Sequence, residues 1–297
     1  MMGKFEKLNI KKISAIIFVI IVAAYFFFGL DNSSFVDIDA TKTYIHFVDV
    51  GQGDCAIVQS PSGNILIDAG PYSSAEKLVE YIDDMGIDSF KYAIFTHPHS
   101  DHIGGAATVL SKYDVENVIM PTASSTSTSF EKMVDVIESK DINIIAGREG
   151  KKFEVPNAFV IELVAPQKQN WTDENELNNA SIVAKITIGD VSVLFTGDAE
   201  RDSENQILNN YKNLIDVDIL KVGHHGSSTS SSKSFIEAVS PQVAVISAAK
   251  DNEYGHPHKE TMSTLNKKDV DIYITYEYGS IVFETDGKGY KIITEKN

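Results

Sequence analysis

Three histidines and one aspartate, His97, His99, Asp101 and His102, fall within a single short run, THPHSDHIGG (96–105). Imidazole nitrogens and carboxylate oxygens together suit zinc and the neighbouring first-row metals. The run follows a strand of buried type, KYAIFTH (91–97), and precedes a helical pattern over 103–113. A loop at the end of a rigid strand holds several ligands in fixed geometry. His97 and His99 can then face one metal while Asp101 and His102 face another. A polar turn that only capped the next helix would not need three of the chain's eight histidines. The chemistry implied is that of bound divalent metal ions, zinc or a neighbouring first-row metal.

Short strands must position these residues. YIHFVDV (44–50), CAIVQS (55–60) and NILIDAG (64–70) follow closely on one another, rich in β-branched and aromatic residues and separated by turn residues. Over 73–86, Leu78, Val79, Ile82 and Met85 fall at helical spacing and Gly86 stops the helix. NVIMP, a helix near 130–139 and INIIAG complete the first half. In the second half, strands are predicted over 159–166, 181–189 and 191–198, then a helix over 200–211 and a strand over 217–223 that ends at His224-His225. A helical FIEAVS, a strand over 242–249, a helix over 259–267 and strands in IYITYEYGSIVFETDG and 290–295 close the chain. Strand-rich halves with helices between them predict an α/β fold of two packed sheets with helices outside, formed as one domain over 43–297. Residues 121–130 and 167–180 read as loops. Cys55, the one cysteine, excludes an intrachain disulfide and reads as a small core residue.

Residues 13–30, ISAIIFVIIVAAYFFFGL, are uncharged and mostly apolar, long enough to span a bilayer. Lys4, Lys7, Lys11 and Lys12 precede them and Asp31 follows, so residues 1–12 are expected in the cytoplasm and the rest outside. A cleaved signal peptide is the competing reading; the bulky FFFGL end disfavours cleavage. Residues 31–42 then read as a polar tether. Removing the four lysines and one glutamate of residues 1–12 from the net charge of −16 leaves −19 on the remainder. Such a surface repels nucleic acid at long range.

HPHSDH resembles the HxHxDH motif of the metallo-β-lactamase superfamily, an αββα sandwich with metals at the seam between its sheets. Gly104-Gly105 match the glycine-rich turn that follows the motif there. FVDVGQGDCAIV, LIDAG, FTHPHSDHIGG, NNASIVAKI, LFTGDAE, LKVGHHGSSTSSS and YGHPH, spread over roughly 44–285, are similar to the soluble hydrolase domain of ComEC-type DNA-uptake proteins and to free-standing hydrolases related to it. The channel's many membrane helices are absent, so the channel itself is not expected.

The resemblance implies roles for single residues. Asp198 of TGDAE would bridge two metals. In LKVGHHGS, adjacent histidines at a strand end point opposite ways; one completes the second metal, with His224 preferred, and His225 is left for catalysis or substrate. Asp68 of LIDAG orients a ligand histidine from behind, or is a turn aspartate. His256 of YGHPH ligates, donates a proton or binds phosphate, while His258 reads as a surface histidine. Ser227 would donate to substrate, and Gly226 would let the backbone approach it. The superfamily's usual further histidine is missing between His102 and Asp198, where NNAS (178–181) stands. That leaves His97, His99, Asp198 and an Asn178 or Asn179 oxygen around the first metal, a set that leans toward manganese.

The reading that follows is an extracytoplasmic phosphodiester hydrolase, acting on nucleic acid or a small phosphodiester, with Asp101, Asp198, His225 and His256 in catalysis. The alternatives are hydrolysis of a cell-wall or lipid phosphoester or other ester, β-lactam hydrolysis, and a non-enzymatic surface binding module. The membrane is the expected partner through the N-terminal helix; no obligate protein partner is inferred. Arg148, Lys151 and Lys152 offer only a small basic spot.

Overall fold

The computed structural model describes residues 34–167 and 174–296. The basic segment 1–12 and the expected membrane segment 13–30 lie outside them. Among the described residues no helix is long and apolar enough to cross a membrane. The strands are β1 (Thr43–Phe47), β2 (Ala56–Gln59), β3 (Ile65–Ile67), β4 (Ser89–Ile94), β5 (Asp114–Met120), β6 (Asn143–Ala146), β7 (Lys152–Val155), β8 (Phe159–Ala165), β9 (Val183–Ile188), β10 (Val191–Phe195), β11 (Ile219–Lys221), β12 (Val243–Ile246), β13 (Asp271–Ile274), β14 (Ile281–Thr285) and β15 (Tyr290–Thr294). They form two sheets, ordered β15-β14-β1-β2-β3-β4-β5-β6 and β13-β12-β11-β10-β9-β8-β7.

Alternation along the strands explains the stacking. In β1, Ile45 and Phe47 face the second sheet and Tyr44 faces away from it. In β10 and β12, Val191, Val193, Phe195, Val243 and Val245 face the first sheet, while Leu194, Ala244 and Ile246 point out. Phe47 and Phe195 meet across the middle, ring centroids 5.6 Å apart. Both outer faces are also apolar and must be covered. Helices Ala75–Asp84, Ala106–Lys112 and Thr128–Ser139 cover the first with Leu78, Ile82, Leu110, Met133 and Ile137. Helices Arg201–Tyr211, Lys233–Val239 and Lys259–Asn266 cover the second with Ile207, Phe235, Ile236 and Leu265. The result is the αββα order of layers.

Three segments depart from the sequence reading. The basic stretch at 151–155 contains the edge strand β7, whose Phe153 and Val155 face the middle layer; its alternation is too short and too charged to show. Residues 174–180, read as loop, form a 3₁₀ helix. The expected tether ends early, because Phe35, Val36 and Ile38 pack on the outer face of the first sheet and Val36 is only 2% exposed.

β3, β4 and β5 run parallel, as do β10, β11 and β12. The loops after them therefore leave at the carboxyl ends of parallel strands, where open α/β sheets bind ligands.

Candidate metal centre

His97, His99, Asp101 and His102 follow β4, Asp198 follows β10, His224 and His225 follow β11, and His256 follows β12. The loops of the two sheets touch at Gly197. Its φ of +49° favours glycine, and a Cβ there would lie 2.8 Å from the Cβ of Thr96. Ser181 ties them again: its hydroxyl accepts from the Asp198 N–H at 3.1 Å and lies 3.3 Å from His97 Nδ1.

Buried Asp198 stands at the centre. Its Oδ2 lies 3.9 Å from His97 Nε2 and 3.6 Å from His224 Nε2. Its Oδ1 lies 3.1 Å from His102 Nε2 and 3.8 Å from His225 Nε2. His99 Nδ1 is 2.9 Å from His97 Nε2, and Asp101 Oδ2 is 3.2 Å from His225 Nε2. The ligand atoms of Asp101, His102, Asp198 and His225 all lie within 4.8 Å of one another. One carboxylate thus turns one oxygen to His97 and the other to the Asp101–His102–His225 group. His102 Nε2 and Asp198 Oδ1 are buried and make no hydrogen bond. The two atoms face each other at 3.1 Å, and a cation bound there would take the place of the proton on His102. The donor set therefore fits divalent ions.

Sequence and structure part at the HHGS turn. His225, not His224, joins Asp101 and His102. The strand ends at Lys221, so alternation no longer applies to the pair. Both histidines adopt left-handed backbone, φ 50° and 53°, inside the turn Gly223–Gly226, and both rings swing toward Asp198. Such non-glycine conformations cost about 1–3 kcal/mol each and concentrate at functional sites. His224 stays on the solvent side, its Nδ1 3.4 Å from Glu200 Oε1 and 3.2 Å from Thr229 Oγ1.

Ser227 does not line the cleft. Its hydroxyl lies 3.0 Å from Thr229 Oγ1 and accepts the Thr229 N–H at 3.3 Å, folding the side chain into its own turn. Gly226 is required by packing: a Cβ there would meet Pro257 Cβ at 2.6 Å. His258 joins the loops, accepting the Ser228 N–H on Nδ1 at 2.9 Å while its own N–H donates to Gly226 O at 2.9 Å. His256 is held by Asn252, which accepts its N–H at 2.9 Å and donates to its carbonyl at 2.6 Å. A cleft of about 310 Å³ lies over Asp198, with Gln52, His99, Asn178, His224, Tyr254 and His256 among its walls. The orphaned Nε2 of Gln52 is a donor missed in the sequence; its Oε1 accepts the Ala249 N–H at 3.1 Å.

A sequence profile described as Metallo-beta-lactamase superfamily matches residues 48–250. The chain belongs to that superfamily. It is 30% identical over 257 residues to "ComE operon protein 3" of Bacillus subtilis, covering 80% of this chain and 32% of the relative. "Recombination protein 2" of Haemophilus influenzae is 31% identical over 229 residues, 74% of this chain and 26% of the relative. The chain thus spans a third or less of the length of these relatives. Among solved structures, the metallo-beta-lactamase fold protein YhfI from Bacillus subtilis aligns with a TM-score of 0.55 at 15% identity, over 82% of this chain and 100% of that one. Family and donor set together make the chain a metal-dependent hydrolase.

Behind the ligands of this metallo-β-lactamase-fold centre lies a second layer of charge. Asp68 Oδ2 is 2.8 Å from His102 Nδ1, and the same carboxylate accepts from the Thr96 N–H and hydroxyl at 2.8 and 2.7 Å. His225 Nδ1 lies 3.0 Å from Ser247 O and 3.1 Å from Asp54 Oδ1, and Lys221 Nζ is 2.8 Å from Asp54 Oδ2. Carboxylates placed so fix the imidazole tautomer and ring orientation. Asp54 and Lys221 went unnoticed in the sequence; the signal was an acid in GQGDC and a lysine inside the apolar strand ILK.

These charges set the protonation states. Burial disfavours a charged His225, yet the carboxylates of Asp198, Asp54 and Asp101 prevail and hold it up at about 10. Burial likewise opposes a charged His102, but Asp198, Asp68 and Asp101 raise it well above the ordinary value. Against its own burial, Asp198 is held well below the usual carboxylate range by His102 and His225. Burial, then His102, pushes His97 far down, and burial lowers His99. His256 falls to about 4 through burial and the nearby His224.

Proposed function

We propose that the chain hydrolyses phosphodiesters outside the cytoplasm, held at the membrane by residues 13–30. The observation that carries this reading is the single carboxylate of Asp198 shared between two ligand groups under one cleft. A tetrahedral phosphoryl group offers several oxygens, and a paired centre suits it better than a single ion does. Divalent ions held by these groups, zinc or manganese, would supply Lewis acidity at the floor of the cleft.

The chain's own groups would do the rest. His102, His225 and Asp101 form one ligand group, His97 and His99 the other, and Asp198 spans both. Gln52 Nε2 donates to a substrate oxygen. His224, braced by Glu200, presents Nε2 to the cleft beside Asp198. His256, neutral at pH 7, accepts or donates a hydrogen bond there. Support for nucleic acid comes from the relative named for recombination. The charge of −19 argues against a long contact. A separate cavity of about 530 Å³ carries Arg201 and Lys233, but Glu237 and Glu260 line it as well, so it adds little net attraction for an anion. Arg148, Lys151 and Lys152 are not among the cleft's walls.

The test incubates the zinc- or manganese-loaded chain with DNA, bis-p-nitrophenyl phosphate, phosphocholine esters and nitrocefin. Turnover of DNA or the small phosphodiester above nitrocefin is the expected result. Turnover of nitrocefin, or of phosphocholine esters alone, with none of a phosphodiester, overturns the substrate assignment.

A further inference from the structure

No histidine stands between His102 and Asp198 in the sequence, and from that stretch the structure brings an asparagine into the wall of the cleft beside His99, Asp198 and His224. Asn178 and Asn179 end the 3₁₀ helix Glu174–Ala180. Their side chains have different fates. Asn179 Oδ1 accepts two backbone N–H groups, Glu200 at 3.1 Å and Ser203 at 3.2 Å, at the start of the helix Arg201–Tyr211. Its oxygen is spent. Asn178 Oδ1 is buried, makes no hydrogen bond and belongs to a side chain in the wall of the cleft with His99, Asp198 and His224.

The orientation of the Asn178 amide follows from its other end. Asn178 Nδ2 donates to Glu200 Oε1 at 3.4 Å. A carboxylate can only accept, so nitrogen must face Glu200 and oxygen must face away. The same Oε1 lies 3.4 Å from His224 Nδ1. One carboxylate therefore braces two cleft residues and leaves a lone pair on each, Asn178 Oδ1 and His224 Nε2, free of the brace. Buried acceptors without a donor are rare and call for an ion or a water.

We infer that Asn178 Oδ1 is the further protein ligand of the His97–His99–Asp198 position, with Glu200 as its positioning residue. The inference rests on the metal-dependent reading of the site. An amide oxygen in place of imidazole makes this position harder and moves its preference from zinc toward manganese. The neighbouring Asp101–His102–His225 position, which makes no use of Asn178, keeps its own preference.

The experiment uses the full chain, metal-stripped and dialysed against zinc, manganese or an equal mixture, with metal per chain and manganese paramagnetic resonance as readouts. Asn178→Ala should weaken one of two positions by about 10–100-fold and leave the other unchanged. Asn178→His should restore that position and shift its zinc-to-manganese ratio toward zinc by about tenfold or more. Asn178→Asp, which keeps an oxygen ligand, should retain manganese. Asn179→Ala should bind both ions as the wild type does. If wild type binds two ions and Asn178→Ala binds them as tightly, with Asn178→His leaving the ratio unchanged, Asn178 is not a ligand. If wild type itself binds none, the metal reading fails, and this inference with it.

Discussion

Metal binding should release protons, and the two positions should differ in how many. His225, held at about 10, carries its proton at pH 7. A ligand nitrogen must shed that proton. Three units at about 1.36 kcal/mol per unit is a penalty of roughly 4 kcal/mol on ion binding at neutral pH. The penalty shrinks as pH rises, so affinity at the Asp101–His102–His225 position should climb about tenfold per pH unit from this proton alone. His102 is raised in the same direction, by Asp198, Asp68 and Asp101. With both protons leaving, the slope approaches about a hundredfold per unit. The other position behaves differently. His97 and His99 are lowered by burial and enter neutral, so little or no proton should leave there. Calorimetric titration of zinc into the stripped chain, in two buffers of different ionisation enthalpy between pH 6.5 and 8.5, separates the steps. One step should release about two protons and the other about none. Heats independent of buffer in both steps, or an affinity flat across that range, would refute the charge assignment.

Other expectations concern groups around the centre. His46 is fully buried beside Tyr81, its Nδ1 2.9 Å from the phenol oxygen, and burial pushes it down to about 3. Its folded value lies below the unfolded one, so the unfolded chain binds the proton first; stability is full above pH 6.5 and falls as pH drops toward 3, by on the order of 4 kcal/mol. Urea midpoints measured from pH 7 to 4 should show this slope in wild type and a shallower one in His46→Phe; equal slopes would exclude His46 as its source. Asp54→Asn removes the carboxylate behind His225 and should weaken zinc at that position by about 10–100-fold, read by competition with a chelator; unchanged affinity would reduce Asp54 to a partner of Lys221. Gln52→Met keeps the volume and loses the donor, so phosphodiester turnover should fall by about tenfold with metal content intact. Full turnover in that variant would remove Gln52 from substrate binding.

Much of this centre is legible in the sequence because the chemistry is local. HPHSDH carries four converging residues on one loop, and strand alternation around it foretells two sheets with helices outside. What is not legible depends on neighbours far along the chain. Asp54 reaches His225 across the seam between the sheets. The choice between Asn178 and Asn179 is made by Glu200, and the turn that carries His224 and His225 abandons the alternation by which their directions were read. Ser227 looks like a substrate donor by its place beside two histidines, yet its hydroxyl has a closer partner in Thr229. β7 hides because four residues with two lysine or glutamate side chains give too short a pattern.

The central claim is that Asp198 is shared by two metal ions. Its most direct test is the metal count per chain after dialysis against zinc or manganese, for wild type and Asp198→Ala, with folding checked by far-ultraviolet circular dichroism. The account predicts about two ions per wild-type chain and fewer than about one in the folded variant. A wild type that stays free of metal, or a folded Asp198→Ala that keeps both ions, would contradict it.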